Sequence, residues 1–116
     1  MIIVHQIQMT SDQVDAFNSG NSVPAIEAKR QLMFGSEDFK HEMFQYFTEV
    51  AKVETDDLEE AFELTNLWED ETKITRLTRM SSTSVGDIFQ KDDRYFMVDN
   101  FGFTEIRFFN DEIEAA

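Results

Sequence analysis

The stretch SVGDIFQKDDRYFMVDNFGFTEIRFF, residues 84–109, decides the fold class. Val85, Ile88 and Phe89 make one apolar run, Tyr95 to Val98 a second, and Phe103 to Phe109 a third. Lys91-Asp92-Asp93 has turn composition, and Asn100 and Gly102 punctuate a bend before the last run. Aromatic and β-branched runs divided by such signals predict a three-stranded antiparallel meander.

Upstream the periodicity changes. Ile2 to Met9 alternates with period two, which predicts an N-terminal strand able to join the meander as a fourth. Thr10 and Gln13 have capping-box spacing for a short helix carrying Val14 and Phe17 to about Asn18. Ser22-Val23-Pro24 opens a second helix, with serine as cap and proline in the first turn, and Gly35 as its stop. Ser36 caps a third, because Phe39, Met43, Phe47 and Val50 recur at helical spacing. Thr55 caps a fourth, Asp56 to about Leu67, with Leu58, Ala61, Phe62 and Thr65 on one face and Glu59, Glu60 and Glu63 on the other. Trp68 to Met80 fits a short helix or extended chain. The sum is an α+β fold: a strand, three to four helices and the meander, with the helices packed on one sheet face.

A chain of 116 residues predicts a single domain over 1–116, with an acidic tail, about 110–116, that frays. Apolar content of 41%, including twelve phenylalanines, is enough for a buried core. The absence of cysteine removes disulfides, thiol nucleophiles and thiolate zinc sites. Met1-Ile2-Ile3-Val4-His5 has no basic leader, and its apolar run is too short for a signal peptide or a span, so a cytoplasmic chain is expected. The net charge of −14 disfavours direct contact with nucleic acid or anionic membrane and favours basic partners.

Catalytic patterns are weak. The only histidines are His5 and His41, and Ser81, Ser82 and Ser84 lie in no nucleophile elbow. No His-x-x-x-His or EF-hand spacing occurs, and Gly20, Gly35, Gly86 and Gly102 are too scattered for a phosphate loop. The expectation is no catalytic residue, no metal and no cofactor. One block stands out instead: Glu54, Asp56, Asp57, Glu59, Glu60, Glu63, Glu69, Asp70 and Glu71, with no Lys or Arg between Glu54 and Glu71. Like charges four apart, such as Glu59 and Glu63, cost helix stability. A line of carboxylates resembles a line of phosphates and suits a basic cleft, while a solvated helix face is the plain alternative.

Leu58 to Asn66, then Ser84-Val85-Gly86-Asp87, then Tyr95 to Phe103 with Asp99-Asn100-Phe101-Gly102-Phe103, form a pattern over about residues 57–106. It resembles the short YodL-like domains of mobile elements and small tailed-bacteriophage proteins. Their usual Ser-Val-Ser-Asp has Gly86 at its third position here, compatible with a bulge or tight bend. The resemblance implies no activity, only a phage or mobile-element setting in the company of antirestriction proteins. Asp99 and Asn100 suit turn hydrogen bonds, and Gly102 permits a bend while Phe101 and Phe103 both pack. The expectation is therefore an anti-defence accessory protein, not an enzyme. It would bind and inhibit a host nucleic-acid-binding or defence protein through the nine acids, as a DNA mimic. A structural or assembly protein, able to dimerise through an apolar patch on the meander, is the alternative, and a small hydrolase is third.

Overall fold

A computed structural model describes residues 1–107 of the chain. Six strands form one antiparallel sheet: β1 (Ile2–Ile7), β2 (Phe47–Val53), β3 (Ile74–Arg76), β4 (Ile88–Lys91), β5 (Arg94–Val98) and β6 (Phe103–Ile106), in spatial order β3-β2-β1-β4-β5-β6. Helices α1 (Ser11–Asn18), α2 (Pro24–Leu32) and α3 (Leu58–Leu67) join them, with 3-10 turns at Ser36–Asp38, His41–Tyr46 and Glu71–Lys73. The architecture is α+β. β4, β5 and β6 are the meander, and β1 joins it through β4, pairing Val4 with Phe89. Asp92 takes a left-handed φ of 55° in the two-residue β4–β5 turn. No helix among the described residues is long and apolar enough to cross a membrane.

The strands are apolar on both faces, and so both faces are covered. Ile2, Val4, Val53, Phe89, Val98 and Phe103 meet Ala61, Leu58, Phe62 and Leu64 of α3. Ile7, Ile88, Met97 and Ile106 meet Ala25, Ala28 and Leu32 of α2 together with Phe39, Met43 and Phe44. The expected one-sided packing is therefore corrected to a sheet with α3 on one face and α2 on the other. Phe89, fully buried at the centre, contributes about 2–3 kcal/mol through burial alone.

The expected helix from Ser36 to Ala51 is also corrected. Its first part forms two 3-10 turns, and its second part is β2. Pairing shifts between Val4 and His5, so that Val4 faces Ala51 and His5 faces Glu49, leaving Val50 as a bulge. The bulge breaks the period-two alternation and puts Val50, Ala51 and Val53 all in the core. Pairing of β2 on both edges, with β1 and with β3, outweighs the local helical spacing.

Helix starts follow local chemistry. Thr10 accepts from the Gln13 amide at 3.1 Å, and Gln13 Oε1 accepts from the Thr10 amide at 2.9 Å, completing the capping box. Val23, not Ser22, is the cap residue of α2, with Pro24 at its first position. Ser22 instead donates to Glu27 at 3.2 Å. Asp57, not Thr55, caps α3, accepting from the Glu59 amide at 2.9 Å. The tail expected to fray, 110–116, and the end of the third expected strand, Phe108 and Phe109, lie outside the described residues.

Candidate functional site

The acidic block divides once it is folded. Asp57 and Asp70 cap helical turns, Asp70 accepting from the Thr72 amide at 3.1 Å. Thr72 also bonds the Asp70 side chain, which holds that carboxyl below its usual range. Asp56 pairs with the terminal amine of Met1, and its carboxyl is likewise lowered. Two cations outside the block return to it: Lys73 lies 3.9 Å from Glu60, and Arg76 2.6 Å from Glu71. Glu54, Glu59, Glu63 and Glu69 are exposed and make no ion pair among the described residues.

Glu59 and Glu63 rim a cleft of about 310 Å³ between α3 and the β5–β6 turn, with Phe62, Val98 and Phe103 as its apolar lining. A second, more open hollow adjoins it, sharing Glu59, Gly102 and Phe103 and adding Asp56, Phe96 and Glu105. The strand register explains the composition. Phe96 pairs with Glu105 and Val98 with Phe103, so these side chains share the α3 face of the sheet. Glu105 and Phe96 belong to this groove but not to the block read from the sequence. The alternation of Phe103 with Glu105 on one strand face is the signal that marks them.

Two lining residues of the second hollow, Phe96 and Glu105, already hold a guanidinium. Arg94 donates to both Glu105 oxygens at 3.0 Å and lies 5.1 Å from the centroid of the Phe96 ring. Glu105 is held below its ordinary range by that guanidinium.

The motif residues of the C-terminal half act as joints. Asp99 accepts from Ser36 Oγ at 2.5 Å, from Thr104 Oγ1 at 2.6 Å and from the Asn100 amide at 2.9 Å. These bonds lower its carboxyl to about 2 and tie the β5–β6 turn to the loop after α2. Asn100 donates to the Phe34 carbonyl at 3.1 Å across the same junction. Gly102 has a φ of 77°, and Phe103 packs against Phe62 and Phe89. Phe101, expected to pack, is 97% exposed, a correction that follows from the turn aiming it outward. Asn66 donates to Thr83 Oγ1 at 2.7 Å, and Thr65 shares a 2.7 Å bond with the same hydroxyl.

Asp87, just before β4, is buried against Gln6 of β1. Its Oδ2 accepts from Gln6 Nε2 and from the Ser84 amide, both at 3.0 Å, and burial raises its carboxyl to about 6. Gly86 makes the turn before it, with a φ of 99°. His5 is buried beside Phe44 and Tyr95 and shares a 2.8 Å bond with Gln90; burial lowers its pKa. His41 lies in a 3-10 turn, 3.7 Å from Glu42. Among the described residues no group of three or more His, Cys, Asp or Glu is placed to hold a metal.

No family model, curated protein or solved structure matches the chain.

Proposed function

We propose that this chain is an accessory protein of a phage or mobile element that binds and inhibits a host nucleic-acid-binding or defence protein. It does so by presenting an acidic, DNA-mimic-like surface from the host cytoplasm. The observation that carries the reading is the set of exposed carboxylates at Glu54, Glu59, Glu63 and Glu69, without an ion pair among the described residues, in a chain of net charge −14. The spacing on α3 supports it. Glu59, Glu60 and Glu63 fall within about 6 Å of helix rise, or about 3 Å per charge. One DNA strand carries a phosphate about every 3.4 Å. The mobile-element setting comes from the resemblance in the C-terminal half.

The test is affinity purification from bacterial lysate with the full chain as bait, followed by competition with duplex DNA. A captured DNA- or RNA-binding protein that loses at least about tenfold in affinity between about 50 and 200 mM salt, and that DNA displaces, is the expected result. Affinity independent of salt overturns the electrostatic mechanism.

One observation favours a second reading, self-association. Met33, Phe34 and Phe101 are 57%, 82% and 97% exposed, on loops that Asn100 ties together. Sedimentation over a concentration series tests it, and a monomer at every concentration refutes it.

A further inference from the structure

The α3 face of β5 and β6 is incompletely covered. α3 lies over the neighbouring strands, and its acidic edge forms one wall of the groove above Phe96 and Phe103. The floor is aromatic and the walls carry carboxylates, while Lys91 is the only base lining either hollow among the described residues. An uncharged apolar ligand would leave the carboxylates without partners. A bare divalent cation would find an apolar floor and no assembled ligand set among the described residues. A flat cation on an apolar stem satisfies both parts at once. A guanidinium fits best, because it stacks on aromatic faces while donating in its plane to carboxylates. The chain displays this arrangement itself, where Arg94 lies over Phe96 and is held by both oxygens of Glu105.

We infer that the groove between α3 and β5–β6 is the docking site for an arginine-bearing segment of a partner protein, its guanidinium laid against Phe103 and neutralised by Glu59 and Glu63. The inference rests on the reading above that the partner surface is basic, and it narrows the footprint from the whole block to two of its nine carboxylates. Glu59 and Glu63 lie four apart on one side of α3 and both rim the cleft, whereas Glu54 and Glu69 line neither hollow.

The test uses two charge-matched double variants of the full chain, E59Q/E63Q inside the groove and E54Q/E69Q outside it. Both replace exposed side chains and change the net charge equally, so a diffuse electrostatic attraction responds equally to both. The probe is an end-blocked peptide of alternating arginine and leucine, titrated into isotope-labelled protein and followed by NMR, with the lysine-leucine peptide alongside. The expected result is saturable binding with shifts clustered at Glu59, Glu63, Gly102 and Phe103. E59Q/E63Q weakens it about tenfold or more and E54Q/E69Q at most about twofold, with the lysine peptide several-fold weaker throughout. Equal weakening by the two variants, scattered shifts or no saturable binding overturns the site, and equal affinity for both peptides overturns the choice of arginine. Groove binding by the peptide without any nucleic-acid-binding competitor would sink the inhibitor reading alone. Capture of a basic protein whose affinity both variants reduce equally would sink the groove alone.

Discussion

Replacing Asp87 by asparagine is expected to stabilise this protein at neutral pH, although the side chain accepts two hydrogen bonds. Burial raises the carboxyl from 3.8 to about 6 in the folded chain. A group whose folded pKa lies above its unfolded value binds more protons folded than unfolded between those two pH values. Stability from this group is therefore complete below about 3.8 and is lost as pH rises through about 6. At about 1.4 kcal/mol per pH unit the loss amounts to about 3 kcal/mol at pH 7. Asparagine carries no charge to desolvate. Both incoming N–H groups, from Gln6 and Ser84, converge on the one oxygen Oδ2, so a single amide oxygen can accept both. Repulsion among the other acids also relaxes at low pH, but it is common to both proteins and cancels in their difference. Urea denaturation followed by circular dichroism at pH 4, 5, 6 and 7 gives that difference directly. The two proteins should be nearly equal at about pH 4, and the variant should lead by about 1–3 kcal/mol at pH 7. A variant less stable than the natural chain at pH 7, or a gap independent of pH, would refute the reasoning. The first result would mean that the ionised carboxylate is the state the Gln6 and Ser84 donors select, and the second that folding leaves the carboxyl near its ordinary value.

Asp99 has the opposite sign. Its contribution is complete above about 3.8 and is lost as pH falls through about 2, so Asp99→Ala should cost about 2 kcal/mol at pH 7 after allowance for solvent screening, and the gap in urea stability should shrink steadily from about pH 4 towards pH 2. Gly86→Ala should cost about 2–3 kcal/mol in the same assay, because φ is 99° and the added Cβ would stand 3.1 Å from both Cβ and the carbonyl oxygen of Leu32; an unchanged midpoint would show that the turn can shift.

The meander was legible because each of its strands is a short β-rich run bounded by turn residues. The Lys91-Asp92-Asp93 signal falls on the observed β4–β5 turn, and the Thr10–Gln13 box falls on the start of α1. Residues 36–51 misled because Phe39, Met43, Phe47 and Val50 have true helical spacing, while the bulge at Val50 erases the alternation that would mark β2. Only the strands on either side of β2, β1 from the N-terminus and β3 from beyond α3, supply the pairing, and no local window contains them. The site shows the same division. The acids of the block were visible as a run. Their division into caps, ion pairs and unpaired groups was not, because it depends on the turn at Glu71–Lys73 bringing Lys73 and Arg76 back. The groove was not visible either, since Glu59 and Phe103 lie far apart in sequence and meet only through the packing of α3 on the sheet.

The folded arrangement also changes what the acidity argues for. A solvated face kept only for solubility needs no particular neighbours, and mixed charges would serve it as well. Several of these acids already have local structural roles, as caps at Asp57 and Asp70 and as ion-pair partners at Glu60 and Glu71. Their retention needs no partner. Glu59 and Glu63 have no such role among the described residues, and their i, i+4 repulsion costs α3 about 0.2–0.5 kcal/mol. They are also the two that rim the cleft lined by Phe62 and Phe103, where a cation would meet aromatic faces as well as carboxylates. The weight of the binding hypothesis therefore moves from the length of the acidic run to these two side chains and the Phe103 ring between α3 and β6.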